Sequence, residues 1–535
     1  MGLLDDVTTS DTISSLPGGS SAVSISPTTA KLSQTTPSAN IDDDVTSTSI
    51  ATVQPKSTSA SAHAPSTNSP TPTSGATATS DTGPGVGDTL DSCVDEGFES
   101  DACKAGRSAN EGAIIGAVRA CSSDIFSSQF SYHKANSDFS RAGRPNPTSF
   151  PFSAMTLTIK PPLADPSALP VDITIDGNDL DTALQYGPSA GLPKLRDWLE
   201  QLQSKVHKRE RGNWTISLGS GSQDMMYKGF MSILNPGDPI LLETPLYPGA
   251  LPALRHLNAE LIEVDVDDQG LSPDNLERIL STWPEGKKRP RVIYTSPVGT
   301  NPSGCSATKE RKLAVLEVCK KYDVLIFEDD PYYYLAQELI PSYFELETQV
   351  YPEGGHVLRF DSFSKLLSAG MRLGFATGPK ELLHAIDVCT AGANLHTSSV
   401  SQAVVLGLVQ HWGIEGFLSH GRGVAKLYAE RRAEFEAIAH KHLNGLATWV
   451  PPVAGMFLWV DMSPAGIRDS YDLIRHEALA KGVLGVPGMT FYPKGRKSPH
   501  VRLSFSIVDL IEETELGFAR LAEAIREKRK TLGLE

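Results

Sequence analysis

Short apolar runs alternate with longer amphipathic segments through the middle of the chain, and this pattern predicts strands separated by helices. Apolar runs of strand length occupy residues 214–218, 239–242, 291–294, 324–327 and 357–360. Between the third and fourth runs, a helical spacing that includes Leu313 and Leu316 predicts a helix over about 307–322. A strand, a helix and a strand in this order predict a right-handed crossover with parallel strands. We therefore expect an α/β fold with a mostly parallel sheet flanked by helices.

The two ends of the chain differ from this middle part. Residues 1–110 are dominated by Ser, Thr, Ala, Pro and Asp without apolar periodicity, so we expect a disordered extension. Beyond about residue 445, short strands, one of them within 500–506, alternate with helices predicted near 470–481 and over 511–527. This second pattern predicts a smaller α+β domain that follows the large one.

The acidic composition disfavours nucleic acid and anionic membranes as the main partners. The 535 residues include 48 Lys and Arg against 63 Asp and Glu, a net charge of −15, and polyanions repel such a protein. The six cysteines lack the paired spacing of a metal site or a disulfide framework and are typical of reduced intracellular thiols. Because no apolar run reaches the length of a membrane span and no secretory signal is evident, we expect a cytoplasmic protein without a bound metal.

The strand predicted at 357–360 leads into residues that suit a phosphorylated aldehyde. Lys365 can form a Schiff base with a carbonyl carbon, and Ser362, Ser364 and Arg372 can take a phosphate. Considered alone, the stretch is more simply explained as a solvated lysine after a strand. The other strand ends must therefore decide between these two interpretations.

Further polar groups follow other predicted strands. The turn 219–223 lies between a strand and a helix, and such a turn exposes backbone N–H groups to a phosphate, here at Ser222 and Gln223. If the strands are parallel, Asn301 and Asp329 lie at one edge of the sheet, beyond the carboxyl ends of the strands. Open α/β sheets bind their ligands at that edge.

The chemistry of these groups matches one cofactor. Asp329 can pair with a ring nitrogen, and Asn301 and Tyr332 can bond to a phenolic oxygen. Tyr247, in a Pro-rich turn, can stack on a planar ring, although a tyrosine in such a turn more often only packs. Together with Lys365, these are the groups that pyridoxal 5'-phosphate (PLP) requires.

The amino-acid sequence of several stretches resembles that of the fold-type I PLP-dependent aminotransferases of the aspartate aminotransferase superfamily. Within them, the chain is most similar to the aromatic-amino-acid and kynurenine/2-aminoadipate aminotransferases. The resemblance spans about residues 140–530. The matching stretches are Leu184-Gln185-Tyr186-Gly187-Pro188-Ser189-Ala190-Gly191, Asn301-Pro302-Ser303-Gly304, Glu328-Asp329-Asp330-Pro331-Tyr332-Tyr333, Asp361-Ser362-Phe363-Ser364-Lys365, Ala454-Gly455-Met456-Phe457-Leu458-Trp459 and Arg502-Leu503-Ser504-Phe505-Ser506.

The resemblance implies a role for each candidate residue. Lys365 would form the internal aldimine and later carry a proton between the substrate and the cofactor. Asp329 would keep the pyridine nitrogen protonated, while Asn301 and Tyr332 would bond to the phenolic oxygen and Tyr247 would stack on the ring. The residues that would bind the phosphate are Ser222, Gln223, Ser362, Ser364 and Arg372.

The resemblance also implies a homodimer and a substrate pocket. Tyr186 would reach the phosphate of the partner subunit. Arg502 would hold the substrate α-carboxylate in a bidentate pair, next to Asn301, and Gly143 would line the pocket. A surface ion pair is the plainer explanation of Arg502, but a lone arginine in an apolar strand is costly without an anionic partner.

Four regions follow from the pattern and the resemblance together. Residues 1–110 would form the disordered extension, and residues 111–180 would contribute to the small domain and the substrate loop. Residues 181–420 would form the large PLP-binding domain, and residues 421–535 the C-terminal small domain.

The activity implied is transamination between an L-amino acid and a 2-oxo acid by ping-pong chemistry, with an aromatic or 2-aminoadipate-like amino acid as substrate. A β-eliminating or C–S lyase on the same fold would keep Lys365, Asp329 and Arg502 and remains an alternative. A ligand-sensing regulator that fuses such a domain to a DNA-binding one is disfavoured, because the N-terminal region is acidic low-complexity sequence.

One loop departs from the family. Where relatives usually read Leu-Ala-Gly-Gly-Leu-Pro, this chain reads Ser140-Arg141-Ala142-Gly143-Arg144-Pro145. Both arginines are unexpected in a loop that faces the substrate. Arg144 could pair with an acidic substrate side chain or simply lie at the surface, so this loop leaves the substrate open.

Overall fold

The structure, a computed structural model, describes residues 143–507 and 511–534. The predicted extension 1–110 and the first part of the 111–180 segment, including Arg141, lie outside the described residues. The described chain begins with an antiparallel hairpin of β1 (Ala154–Ile159) and β2 (Val171–Asp176). Two helices follow, α1 (Gly177–Leu184) and α2 (Pro193–Val206). In α2, Leu195, Leu199 and Leu202 are fully buried, as their spacing on one helix face predicts.

A large sheet occupies the middle of the chain. Its strands are β3 (Trp214–Gly219), β4 (Pro239–Thr244), β5 (Glu260–Asp267), β6 (Gly270–Leu271), β7 (Val292–Thr295), β8 (Leu325–Asp329), β9 (Val357–Ser362) and β10 (Gly374–Pro379). They lie in the order β3-β10-β9-β8-β7-β4-β5-β6. Neighbouring strands from β9 to β5 are parallel, whereas β10 is antiparallel to both β3 and β9, and β6 to β5. The predicted mostly parallel sheet is confirmed, including a parallel strand before Lys365.

Helices cover both faces of this sheet. They are α3 (Ser222–Ile233), α4 (Leu251–His256), α5 (Pro273–Ser281), α6 (Lys309–Tyr322), α7 (Tyr343–Val350), α8 (Lys380–Asn394) and α9 (Ser399–Leu443), the last kinked at Gly413. Strand residues alternate between the two faces. Ile293 and Ile326 pack in one apolar cluster with Leu316 of α6, while Tyr294 and Phe327 pack in another with Phe230 of α3.

A smaller sheet follows α9. It contains β11 (Phe457–Asp461), β12 (Val486–Pro487) and β13 (His500–Ser504) in the antiparallel order β11-β13-β12. Its own apolar cluster includes residues of α10 (Ile511–Thr531), which extends beyond the predicted end at 527. The helix predicted near 470–481 occurs as a π-helix at Leu473–Ala478. Because α9 crosses residue 420, the domain boundary placed there stays a prediction.

No helix within 143–507 or 511–534 is long and apolar enough to cross a membrane.

Candidate active site

Three strand ends meet at one corner of the large sheet. Gly374, the first residue of β10, pairs with Gly219 at the end of β3 and with Ser362 at the end of β9. A Cβ on Gly374 would lie 2.5 Å from the backbone nitrogen of Ser222. Only glycine therefore lets the start of α3 approach the end of β9 this closely.

Arg372 links the segments that leave this corner. Its Nη1 donates to Ser364 Oγ at 3.4 Å, and its Nη2 donates to the Ser220 carbonyl at 3.1 Å. A Cβ on Gly221 would lie 2.8 Å from Nη2. Ser362 Oγ accepts from the Ser364 backbone N–H at 3.1 Å. The structure thus brings together one guanidinium and two hydroxyls, a set that can bind a phosphate.

The first turn of α3 contributes backbone donors to the same corner. At a helix start, the N–H groups of residues such as Ser222 and Gln223 have no carbonyl partner within the helix. The side chain of Gln223 is partly used elsewhere, because its Nε2 donates to the Gly249 carbonyl at 2.7 Å. Its Oε1 is buried without a hydrogen-bond partner in the described part of the chain. For an anion, Gln223 therefore offers its backbone N–H more directly than its amide.

Lys365 lies in the turn after β9 and is partly buried. It makes no hydrogen bond or ion pair with any other residue that the structure describes. Burial lowers its pKa, and the nearby positive charges of Arg372 and Arg502 lower it further. A larger fraction of neutral amine follows, which is the form that attacks a carbonyl carbon.

Asp329, the last residue of β8, is buried beside a tyrosine. Its Oδ2 accepts a hydrogen bond from the Tyr294 hydroxyl at 2.7 Å. Burial raises the pKa of Asp329 to about 6, and Asp361 adds to the rise, while Tyr294 and Arg359 oppose it. Tyr294 was not among the predicted site residues. The sequence feature that could have identified it is a lone phenol in an aliphatic strand that runs next to the strand of Asp329.

Sequence reasoning also missed a group of four charged residues that lie next to Asp329 in the sequence and on the neighbouring strand β9. The Arg359 side chain is fully buried and pairs with Asp361 at 2.9 Å, Asp330 at 3.0 Å and Glu328 at 3.3 Å. We call these four residues the Arg359 cluster. Burial raises the pKa of Asp330 to about 7, although Arg359 lowers it. Glu328 on β8 and Asp330 directly after it flank Asp329, so their side chains project to the opposite face of the sheet.

Arg502, on β13, meets the large sheet at Asn301. Its Nη1 donates to Asn301 Oδ1 at 2.7 Å. The guanidinium lies over the rings of Phe457 and Phe491, 4.2 Å and 5.0 Å from their centroids. No carboxylate of the described residues pairs with Arg502, and burial lowers its pKa. Its remaining donors suit a carboxylate ligand.

Two predicted tyrosines lie among these charges. Burial raises the pKa of Tyr332, and Asp329 adds to the rise while Arg502 opposes it. The Tyr332 ring meets the Phe457 ring edge-on, with 6.1 Å between centroids. Burial and Asp329 also raise the pKa of Tyr247, and Arg502 and Arg372 lower it. Both phenols therefore lie within electrostatic reach of the predicted ring and carboxylate sites.

Tyr186 and Gly143 are placed elsewhere. Tyr186 is 50% exposed, and its ring meets the His396 ring edge-on at 6.2 Å. Gly143 is exposed with a positive φ of 87°. The Gln185 side chain donates to the Pro145 carbonyl at 2.9 Å, which ties this loop to Tyr186. In the described part of the chain, no hydrogen bond or ring contact connects Tyr186 or Gly143 to the strand-end residues.

The charges at the sheet edge favour an anionic ligand with a cationic ring. Lys365, Arg372 and Arg502 have no carboxylate partner within 143–507 and 511–534, and the Asp329 carboxylate acts together with Arg372 and Arg502 on the Tyr247 phenol. A phosphate at Arg372 and a carboxylate at Arg502 would balance two of these cations. A protonated ring nitrogen would balance Asp329. The residues present therefore fit a phosphorylated pyridine aldehyde.

Comparison with known proteins identifies the same family. The family model "Aminotransferase class I and II" matches residues 171–510. The chain is 42% identical over 372 residues to aminotransferase tdiD of Emericella nidulans. This match covers 69% of this chain and 84% of that protein. It is 40% identical over 401 residues to the mitochondrial kynurenine/alpha-aminoadipate aminotransferase of Bos taurus. That match covers 72% of this chain and 91% of the bovine protein.

A solved structure has the same architecture. The kynurenine aminotransferase of Pyrococcus horikoshii, in complex with PMP, KYN and KYA, superposes with a TM-score of 0.61. It is 31% identical to this chain, and the match covers 65% of this chain and 84% of that one.

Proposed function

The chain belongs to the class I and II aminotransferases, and from this premise we propose that it moves the α-amino group of an L-amino acid to a 2-oxo acid with PLP as cofactor. The observation that carries the proposal is the arrangement of charges at the sheet edge. Arg372 and Arg502 lie within electrostatic reach of Lys365, and both act together with the buried carboxylate of Asp329 on the Tyr247 phenol. Each of the three cations matches one anionic or carbonyl group of the cofactor or the substrate.

The strand-end residues would hold the cofactor. Arg372, Ser362, Ser364 and the first N–H groups of α3, at Ser222 and Gln223, would bind its phosphate. Asn301 and Tyr332 would bond to the phenolic oxygen, and Tyr247 would stack on the ring. When bound, the cofactor supplies an aldehyde that bonds an amine and a ring that withdraws electrons from the neighbouring carbon.

Lys365 and Asp329 would do the proton chemistry. Lys365 would hold the aldehyde of the cofactor through its amine, and it would take and return the proton of the substrate α-carbon. Its lowered pKa favours both roles, because each needs the neutral amine. Asp329 would keep the ring nitrogen protonated, which would make the ring a stronger electron acceptor.

Arg502 would select amino acids and 2-oxo acids by their carboxylate. Its half-buried guanidinium, held against two phenyl rings and Asn301, leaves donors for a bidentate pair with the substrate α-carboxylate. The names of the bovine and archaeal relatives support an aromatic, kynurenine-like or 2-aminoadipate-like amino acid. Since the donor's 2-oxo acid leaves before the acceptor enters the same site, the kinetics would be ping-pong.

The functional unit would be a homodimer in the cytoplasm. The 50% exposed ring of Tyr186 is available to cross to the partner's phosphate site, as the resemblance implies. The cysteine pattern supports a reducing compartment. Sedimentation of the wild type tests the dimer, and Tyr186→Phe should weaken cofactor binding if the tyrosine crosses to that site.

Absorbance of the purified protein with PLP and a panel of amino acids tests the activity. We expect the bound-cofactor band to change on addition of an aromatic amino acid or 2-aminoadipate, with release of one 2-oxo acid. Lys365→Ala should show neither the band nor turnover. A wild type that gives the same featureless spectrum as Lys365→Ala would refute the proposal. Ammonia and pyruvate from a cysteine conjugate, without conversion of the cofactor to its amine form, would favour the lyase instead.

A further inference from the structure

We propose that Tyr294 is a positioning residue, which holds the Asp329 carboxylate as an ionised acceptor for the ring nitrogen of the cofactor. The inference rests on the proposed function, because it concerns how the same site keeps its ring partner in place. None of the sequence patterns assigned a role to Tyr294.

The strand register explains why these two side chains meet. Tyr294 on β7 is paired with Phe327 on β8, and Asp329 lies two residues further along β8. Side chains two apart on a strand project to the same face, so the phenol and the carboxylate share one side of the sheet. Tyr294 is 1% exposed and Asp329 is 4% exposed. The Tyr294 ring is fixed against Phe230, with 5.9 Å between centroids.

The hydrogen bond occupies one carboxylate oxygen and leaves the other. The Tyr294 hydroxyl donates to Oδ2 at 2.7 Å. It is the only hydrogen bond that the Asp329 side chain makes within the described residues. Oδ1 is therefore the oxygen that is left to accept from a ring N–H. A carboxylate held by one strong bond cannot rotate freely, so its second oxygen keeps one direction.

Tyr294 can act only as a donor to Asp329. Burial and the neighbouring negative charge of Asp329 raise the pKa of Tyr294 well above its ordinary value, so the phenol stays protonated. Donation to the ionised form works against burial, which raises the pKa of Asp329 to about 6. The other titratable or charged groups that act on this pair are Glu243 and Tyr247 at the β4 end, Tyr332 after β8, and Arg359 and Asp361 on β9.

Titration of the cofactor-free protein with PLP tests the inference through binding. Tyr294→Phe keeps the ring against Phe230 and removes only the hydroxyl. We expect PLP to bind roughly ten- to a hundredfold more weakly at pH 7, since a hydrogen bond to a charged group is lost. The pH below which affinity falls should also move upward, because Asp329 would protonate more readily.

Tyr343→Phe is the matched control. Tyr343 is fully buried, and its hydroxyl has no hydrogen-bond partner in the described part of the chain. Its removal should leave both the affinity and the pH profile unchanged. A double-mutant cycle adds a second criterion, because in an Asp329→Asn background Tyr294→Phe should cost less than roughly twofold.

Several outcomes would overturn the inference. Unchanged PLP affinity and an unchanged pH profile in Tyr294→Phe would reduce Tyr294 to a packing residue, as would equal losses in the wild-type and Asp329→Asn backgrounds. If Tyr294→Phe fails to fold, 3-fluorotyrosine at position 294 keeps the shape and makes the hydroxyl a stronger donor. The pH onset should then move downward, and an unmoved onset would refute the inference. A wild type that does not bind PLP would instead refute the proposed function.

Discussion

Two arginines of this molecule have opposite electrostatic surroundings. Arg359, on β9, is fully buried and pairs with three carboxylates within 3.3 Å. Arg502, on β13, is partly buried and pairs with no carboxylate that the structure describes, only with the Asn301 amide and two phenyl rings. Removing a guanidinium from water is costly in both places. The fold supplies the counterions for Arg359, whereas a ligand must supply them for Arg502.

The difference separates a structural charge from a binding charge. The Arg359 guanidinium donates three hydrogen bonds to Asp361 and Asp330 on the face of the sheet opposite to Asp329. Arg502 keeps donors unused and is held in place by neutral groups. Four substitutions test the contrast between the two arginines and the charges around them, and those with the larger expected effects come first.

Arg359→Leu should have the largest effect. It leaves three buried carboxylates without their counterion, so we expect the free energy of unfolding of the cofactor-free protein to fall by about 3–5 kcal/mol at pH 7.5. The loss should shrink toward pH 5, because Asp330 and Asp361, whose pKa values burial raises, can then protonate. Urea unfolding measures both. Arg502→Leu is the paired variant, and a similar loss of stability in that protein would remove the distinction between the two arginines.

Arg502→Leu should instead damage turnover. We expect kcat/KM for amino acids to fall about a hundredfold, because the substrate carboxylate loses its charged partner. The free energy of unfolding should change little, because no carboxylate of the fold would lose its counterion. Arg502→Lys keeps the charge without the bidentate geometry and should recover part of the loss. Full activity in Arg502→Leu would contradict the role proposed for this arginine.

Asp329→Asn should stabilise the cofactor-free protein while it weakens PLP binding. In the folded state the pKa of Asp329 is raised to about 6, so its contribution to stability is complete below pH ~4 and is lost as pH rises through about 6. At pH 8 the ionised group therefore destabilises the fold by roughly 2–3 kcal/mol. Thermal unfolding across pH 5–8 should show the advantage of Asp329→Asn growing with pH. A stability advantage of Asp329→Asn that is constant across this pH range would contradict the raised pKa of Asp329.

Arg144→Leu should have the smallest effect. Arg144 is exposed, and an exposed ion pair contributes up to about 1 kcal/mol. If Arg144 pairs with an acidic substrate side chain, the ratio of kcat/KM for 2-aminoadipate over an aromatic amino acid should fall about threefold. An unchanged ratio would make Arg144 a surface residue without a role in selectivity.

Much of the site was predictable because its motifs are local. Lys365 follows Ser362 and Ser364 in one turn, and Asp329 ends an apolar strand, so strand pattern and residue type together placed them at one sheet edge. The Arg359 cluster was not predictable in this way. Arg359 reads as an interruption of an apolar run, and its partners Glu328 and Asp330 read as an acidic turn.

The α/β class, the order of most strands and helices, and the residue types that PLP chemistry needs are all evident from the amino-acid sequence, because hydrophobic periodicity and short motifs act over a few residues. Which charges are neutralised depends on the three-dimensional fold. Three contacts each join segments far apart in the chain: the pairing of Arg359 with Glu328 and Asp330, the donation from Tyr294 to Asp329, and the contact of Arg502 with Asn301. Those contacts depend on strand register and on how the small sheet meets the large one, which no local pattern specifies.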